Sequence, residues 1–359
     1  MSRKGSLGQA FSEAIRSLWA MPAGPGPRHW IALRAAASMG VPLAIGTLLG
    51  EPGIGLQVGT GAFTALFFAG LPAAERARVL PLVGAMLFGC AALGGWLAHW
   101  PLAAAIGLVV AAIVSSAATY GLRFGPPGPV FFVLMYGLAG TIAGPKSSVS
   151  LGSFLLALAA GILFAYLIAL LPLLGRAERA RPARPFREII PRIWFGRGEQ
   201  ELLLRVAIVA VVGTIVSELW IEPSRAYWTV SSGVAVIGLS TVRRHSLGRG
   251  LHRSLGTILG AGLFMLIAPL GENPWMFVAI IAFFQFAIEI VVVRNYAFAL
   301  VFITPLVLFI SSAASGAGME FTAEVRVIDT LVGAALAILT SFIHAPGPRT
   351  ATGTLKVVS

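Results

Sequence analysis

The chain is a succession of long apolar runs, separated by short stretches that carry most of its charge and much of its Pro. Runs of this length show no strict alternation of polar and apolar positions, so they read as helices in apolar surroundings, the mark of membrane spans. Gly, Pro and charge punctuation places one set near 30–49, 55–72, 79–98, 101–120, 128–144 and 150–174. A second set falls near 202–220, 225–241, 254–270, 274–293, 296–313 and 325–343. The expected fold class is all-α: a polytopic helical membrane protein of about twelve spans. The shortest runs leave room for tilted, re-entrant or broken helices.

The two sets look like repeats of each other. At an ungapped offset of 171 residues, Leu33-Arg34 falls on Leu204-Arg205, and Glu51-Pro52 on Glu222-Pro223. An even number of spans in each set predicts two parallel six-span repeats related by an axis along the membrane normal. The expected organisation is an N-terminal arm (1–29), a first repeat (30–174), a basic linker (175–201), a second repeat (202–343) and a tail (344–359). In the arm, Phe11, Ile15, Leu18 and Trp19 follow helical spacing, which suits a short amphipathic helix at the membrane surface or a partly ordered tail. The arm lacks the continuous apolar core of a cleavable signal. Glycines four apart, Gly46/Gly50, Gly55/Gly59, Gly140/Gly144 and Gly256/Gly260, predict close helix packing, and Pro42 and Pro305 predict kinks.

Composition supports the membrane reading. Hydrophobic residues make up 57% of the chain and charged ones 11%, against about 25% charged in soluble proteins, so a soluble core-and-surface protein is excluded. The net charge of +12 could suggest nucleic acid, but its distribution does not. Alternate connections collect 21 Lys and Arg on one face, whereas the other has only Lys146, Arg225 and Arg326. That asymmetry predicts a lipid bilayer as partner and both termini on the cytoplasmic side. Cys90 is alone in an apolar run. No phosphate loop, His-Glu-x-x-His or nucleophile elbow is present, so no enzyme activity, cofactor or metal is expected.

Ionisable groups inside spans are the functional candidates. Arg34 and Arg205 either meet an anionic substrate or snorkel to headgroups. Glu218, one turn from the outer surface, reads as a solvated span end. Asp329 follows Arg326 by three residues and can pair with it. Glu289 shares its stripe with Gln285 and has no basic residue one turn before it, although Arg294 follows five positions later. Proton coupling is expected through Glu289 or Asp329, with Glu289 as the titrating group and Asp329 as a structural anchor.

The stretch AYWTVSSGVAVIGLSTVRRHSLGRGLHRSLGTILGA, with Tyr227-Trp228, Arg249, Arg253, Gly256-Thr257 and Gly260, resembles the fusaric acid resistance family of bacterial membrane transporters. RNYAFALVFITPLVL, with Arg294, Tyr296 and Thr304-Pro305, and RVIDTLVGA, with Arg326, Asp329, Thr330 and Gly333, are similar to it as well. The likeness covers about 202–343; in the first half Leu56-Gln57 replaces the aromatic pair. The resemblance implies a bacterial inner-membrane protein related to aromatic acid exporters and, more distantly, to plant malate channels, with a small organic anion as partner. The expected function is proton-motive-force-driven export of aromatic or amphiphilic organic acids. Arg249, Arg253 and Arg294 would gather the anion, and Tyr227, Trp228 and Tyr296 would stack its ring. A passive organic-anion channel and a non-transporting scaffold, docked through the basic linker, are the alternatives. A homo-oligomer is compatible with each.

Overall fold

The computed structural model describes residues 7–22, 26–315 and 319–343. The expected tail and the Phe11 side chain lie outside the described residues. Helix α1 (Leu7–Trp19) leads into a first half made of α2 (His29–Leu48), α3 (Pro52–Gly59), α4 (Ala73–Leu97), α5 (Pro101–Gly121), α6 (Val130–Ile142) and α7 (Leu151–Leu170). The linker holds two single turns, α8 (Arg176–Arg179) and α9 (Phe186–Ile189). A second half follows with α10 (Arg197–Trp220), α11 (Ala226–Ile237), α12 (Arg243–Ile267), α13 (Pro274–Val291), α14 (Tyr296–Ser315) and α15 (Met319–Thr340).

Among the described residues, nine helices are long and apolar enough to cross a membrane. The expected runs near 55–72, 128–144 and 225–241 are the exceptions. They fold as α3, α6 and α11, of 8, 13 and 12 residues. At about 1.5 Å per residue the longest spans about 20 Å, short of the roughly 30 Å hydrocarbon core. Backbone chemistry sets their ends. From Thr60 the chain after α3 tightens into a 3₁₀ turn to Leu66, and Gly238 stops α11 by adopting φ +60°, a conformation that a Cβ disfavours. Free helix ends cannot face lipid. Every residue of α11 is buried, so its ends are shielded by protein.

Within the first half α2 packs on α3 and α7, and α4 on α6 and α7. In the second, α10 packs on α11 and α15, and α12 on α14 and α15. The halves meet through α2 with α13, α5 with α10, and α6 with α11. Three of the expected glycine pairs supply close-packing residues. Gly46 and Gly55 bring the α2 and α3 backbones together, and a Cβ on Gly260 would stand 2.9 Å from the Leu300 carbonyl of α14. Both α2 and α14 run as unbroken helices through Pro42 and Pro305.

Helix α1 packs against α12 rather than trailing free. Ser17 Oγ lies 2.8 Å from His252 Nε2, and Asn295 Nδ2 donates to the Leu18 and Ala20 carbonyls at 2.7 and 3.1 Å. Ala14 is buried against the bundle while Trp19 is exposed.

The linker is strapped to the first half. Arg184 forks onto the buried Glu75 carboxylate with bonds of 2.9 and 2.8 Å, and these hold its pKa above the usual arginine value. Glu178 Oε1 accepts from the Ala73 amide, and Arg123 sits over the Trp194 ring.

Candidate functional site

The second half gathers its charged and aromatic residues around α11. This short helix carries Tyr227, Trp228, Thr229 and Ser232 and is ringed by α10, α12, α15 and, across the halves, α6. Small residues let the ring close: a Cβ on Gly333 of α15 would clash with the Thr229 carbonyl. Polar side chains thus come together in the protein interior, where each unmet hydrogen bond costs about 1–3 kcal/mol.

From α12, Arg253 reaches inward. Its Nη1 donates to the Tyr296 hydroxyl at 2.8 Å and its Nη2 to Ser232 Oγ at 3.3 Å, while Nε has no partner. One turn earlier, Arg249 donates to the Ala235 carbonyl through Nε at 3.0 Å and Nη2 at 2.7 Å. The cation therefore covers the negative C-terminal end of α11. It also stacks over Tyr296, 4.4 Å from the ring centroid.

From α15, Arg326 lies over the Trp228 ring at 4.0 Å. It is 5% exposed, and its Nε and Nη1 have no hydrogen-bond partner. Asp329 is fully buried; its Oδ1 accepts from Thr229 Oγ1 at 3.3 Å and its Oδ2 has no partner. The ion pair expected from their spacing is replaced by two separate contacts, because Trp228 takes the guanidinium face and Thr229 takes the carboxylate. Arg326 and Asp329 still feel each other electrostatically, together with Arg253 and Tyr227.

Tyr227 faces the other half. Its ring lies against Gly137 of α6 and its hydroxyl is 3.3 Å from Thr141 Oγ1. Beside it is a cavity of about 30 Å³, lined from both halves by Phe63, Leu134, Leu138, Tyr227, Trp228 and Ile310 among others. The site thus offers two buried guanidiniums with unused N–H groups, one buried carboxylate and an apolar chamber.

Other expected residues lie elsewhere. Arg294 is exposed on the turn before α14 and does not join the cluster. Arg205 does not snorkel; it is fully buried, donating to Ser246 Oγ at 2.7 Å and more distantly to the Ala337 carbonyl and Thr340. Arg34 sits at the linker-bearing end of the first half, with its Nη2 3.4 Å from the Ala69 carbonyl. Glu218 is exposed, as a span end would be. Glu289 is not free of basic neighbours: Arg28, from the start of α2, donates to its Oε2 at 3.1 Å and to its backbone carbonyl at 2.9 Å. Sequence reading overlooked Arg28 and Ser232, the first because its partner is 261 positions away. Among the described residues no group of His, Cys, Asp and Glu has the makings of a metal site.

Fold and site together define an integral, multi-pass helical membrane protein. Residues 207–340 match the family model described as fusaric acid resistance protein-like, so the resemblance read from the motifs holds over that stretch. The uncharacterized membrane protein YvaC of Bacillus subtilis is 36% identical over 121 residues, which is 32% of this chain and only 18% of that relative. No solved structure matches the chain.

Proposed function

We propose that the chain is an inner-membrane secondary transporter that exports aromatic or amphiphilic organic acids, driven by the proton-motive force. The observation that carries this reading is the position of Arg326, buried, incompletely hydrogen-bonded and held over Trp228, whose ring lines an apolar cavity between the halves. A carboxylate would take the unused N–H groups of Arg326, and the body of the acid would enter the cavity next to Tyr227 and Trp228. At about 30 Å³ the cavity has room for little more than a water, so the halves must part along α6 and α11 for an organic acid to enter. Asp329 would carry the proton, since its Oδ2 has no partner whereas Glu289 is tied to Arg28.

The matching neighbour pattern, α10–α11–α15 beside α2–α3–α7 and α12 on α14 and α15 beside α4 on α6 and α7, supports two parallel six-element repeats. With α3, α6 and α11 completing their crossings through the segments that flank them, the 21-to-3 distribution of Lys and Arg supports cytoplasmic termini. A passive organic-anion channel is the second reading, favoured by the Arg28–Glu289 ion pair, which removes one coupling carboxylate from play.

The test is flux of a labelled aromatic carboxylate in proteoliposomes with and without an imposed pH gradient. Accumulation above the outside concentration supports the exporter. Equilibration alone supports the channel, and no flux overturns both.

A further inference from the structure

Two arginines of the first half converge on a single acceptor. Arg34 Nη2 of α2 and Arg76 Nη1 of α4 both point at the Ala69 carbonyl, at 3.4 and 3.3 Å. Arg76 is 3% exposed, and its Nε has no hydrogen-bond partner. Of the acidic groups nearby, Glu178 attracts both arginines electrostatically but bonds to neither. Glu75 is held by Arg184, and Glu178 spends Oε1 on the Ala73 amide and Oε2 on Arg181. One neutral carbonyl at long range is a poor match for two guanidiniums, whose planar forks suit a multivalent oxyanion. Trp30 stands one turn before Arg34 on α2 and is 67% exposed, the placement of an aromatic anchor at headgroup level.

We propose that Arg34 and Arg76 form a binding site for a phosphate oxyanion at the linker-bearing end of the first half, separate from the α11 cluster. The phosphate can come from an anionic lipid headgroup or from solution. In either case its oxygens bridge the two forks and replace the Ala69 carbonyl as their principal acceptor.

The test uses the purified full chain in neutral detergent and follows its thermal unfolding midpoint against phosphatidylglycerol, and separately against inorganic phosphate. Wild type should be stabilised in at least one arm. The responding arm identifies the source. Arg34→Gln should raise the half-effect concentration about tenfold, the loss of one charge-assisted contact, whereas Arg187→Gln, which removes an exposed linker charge, should leave it unchanged. If Arg34→Gln does not fold, Arg34→Lys keeps the charge without the fork and should still weaken the response. No stabilisation of wild type in either arm, or equal losses in the Arg34 and Arg187 variants, overturns the proposal.

Discussion

Arg326 lies over the indole of Trp228, 4.0 Å from the ring centroid, although Asp329 stands one turn away on the same helix. A guanidinium held by a ring keeps its N–H groups available, and a desolvated contact of this kind contributes about 2 kcal/mol. Trp228→Phe offers a weaker ring face, so it should release Arg326 more readily and lower the half-saturation concentration for an aromatic carboxylate severalfold. Arg326→Gln should raise it at least tenfold. Flux titration in proteoliposomes reads both, and equal increases would mean that contact of the substrate with the Trp228 ring outweighs the release of Arg326.

Arg253 is 5% exposed whereas Arg243 and Arg244 are exposed. Salt screens exposed charges over about 10 Å and buried ones far less. Arg253→Gln should therefore weaken substrate binding equally at low and high salt. Neutralising Arg243 and Arg244 together should matter at low salt and fade at high salt. A salt-dependent Arg253 effect would place that residue in a wet entrance.

The two span carboxylates should separate by phenotype. Asp329→Asn should abolish accumulation against a gradient and leave downhill exchange intact. Glu289→Gln should cost about 2 kcal/mol of stability by removing the negative charge that Arg28 faces, although the bond from Arg28 to the backbone carbonyl of Glu289 stays; Arg28→Gln should cost a similar amount, and the double variant little more than either. Uphill transport by Asp329→Asn at the wild-type rate would shift the coupling elsewhere.

Removing the strap should loosen the first half. Arg184→Ala leaves the Glu75 carboxylate without its fork, at a cost of about 1–3 kcal/mol, since Arg184 itself is partly exposed to solvent. Thermal unfolding in detergent measures it, with the exposed Arg187→Ala as the reference.

Much of the fold was legible because long apolar runs have few alternatives to the helix. The span count was not, since α3, α6 and α11 have span-like composition and differ only where the backbone turns, as at Gly238. The α11 cluster was legible in part. Tyr227, Trp228, Arg249, Arg253 and Tyr296 stand in recognisable motifs, but spacing alone paired Arg326 with Asp329 and left Glu289 without a cation. Cross-helix partners decided both, Trp228 for Arg326 and Arg28 for Glu289. Periodicity along one helix carries no signal for either.

Gly137 has a further consequence. The Tyr227 ring occupies the space that any side chain at 137 would need, so the two positions share one volume across the boundary between the halves. Neither can drift alone: an alanine at 137 requires a smaller residue at 227, and a lost ring at 227 leaves a hole that only a larger residue at 137 refills. In a family tree of relatives, these two columns should change together along the same branches, an inheritance pattern written by steric exclusion alone.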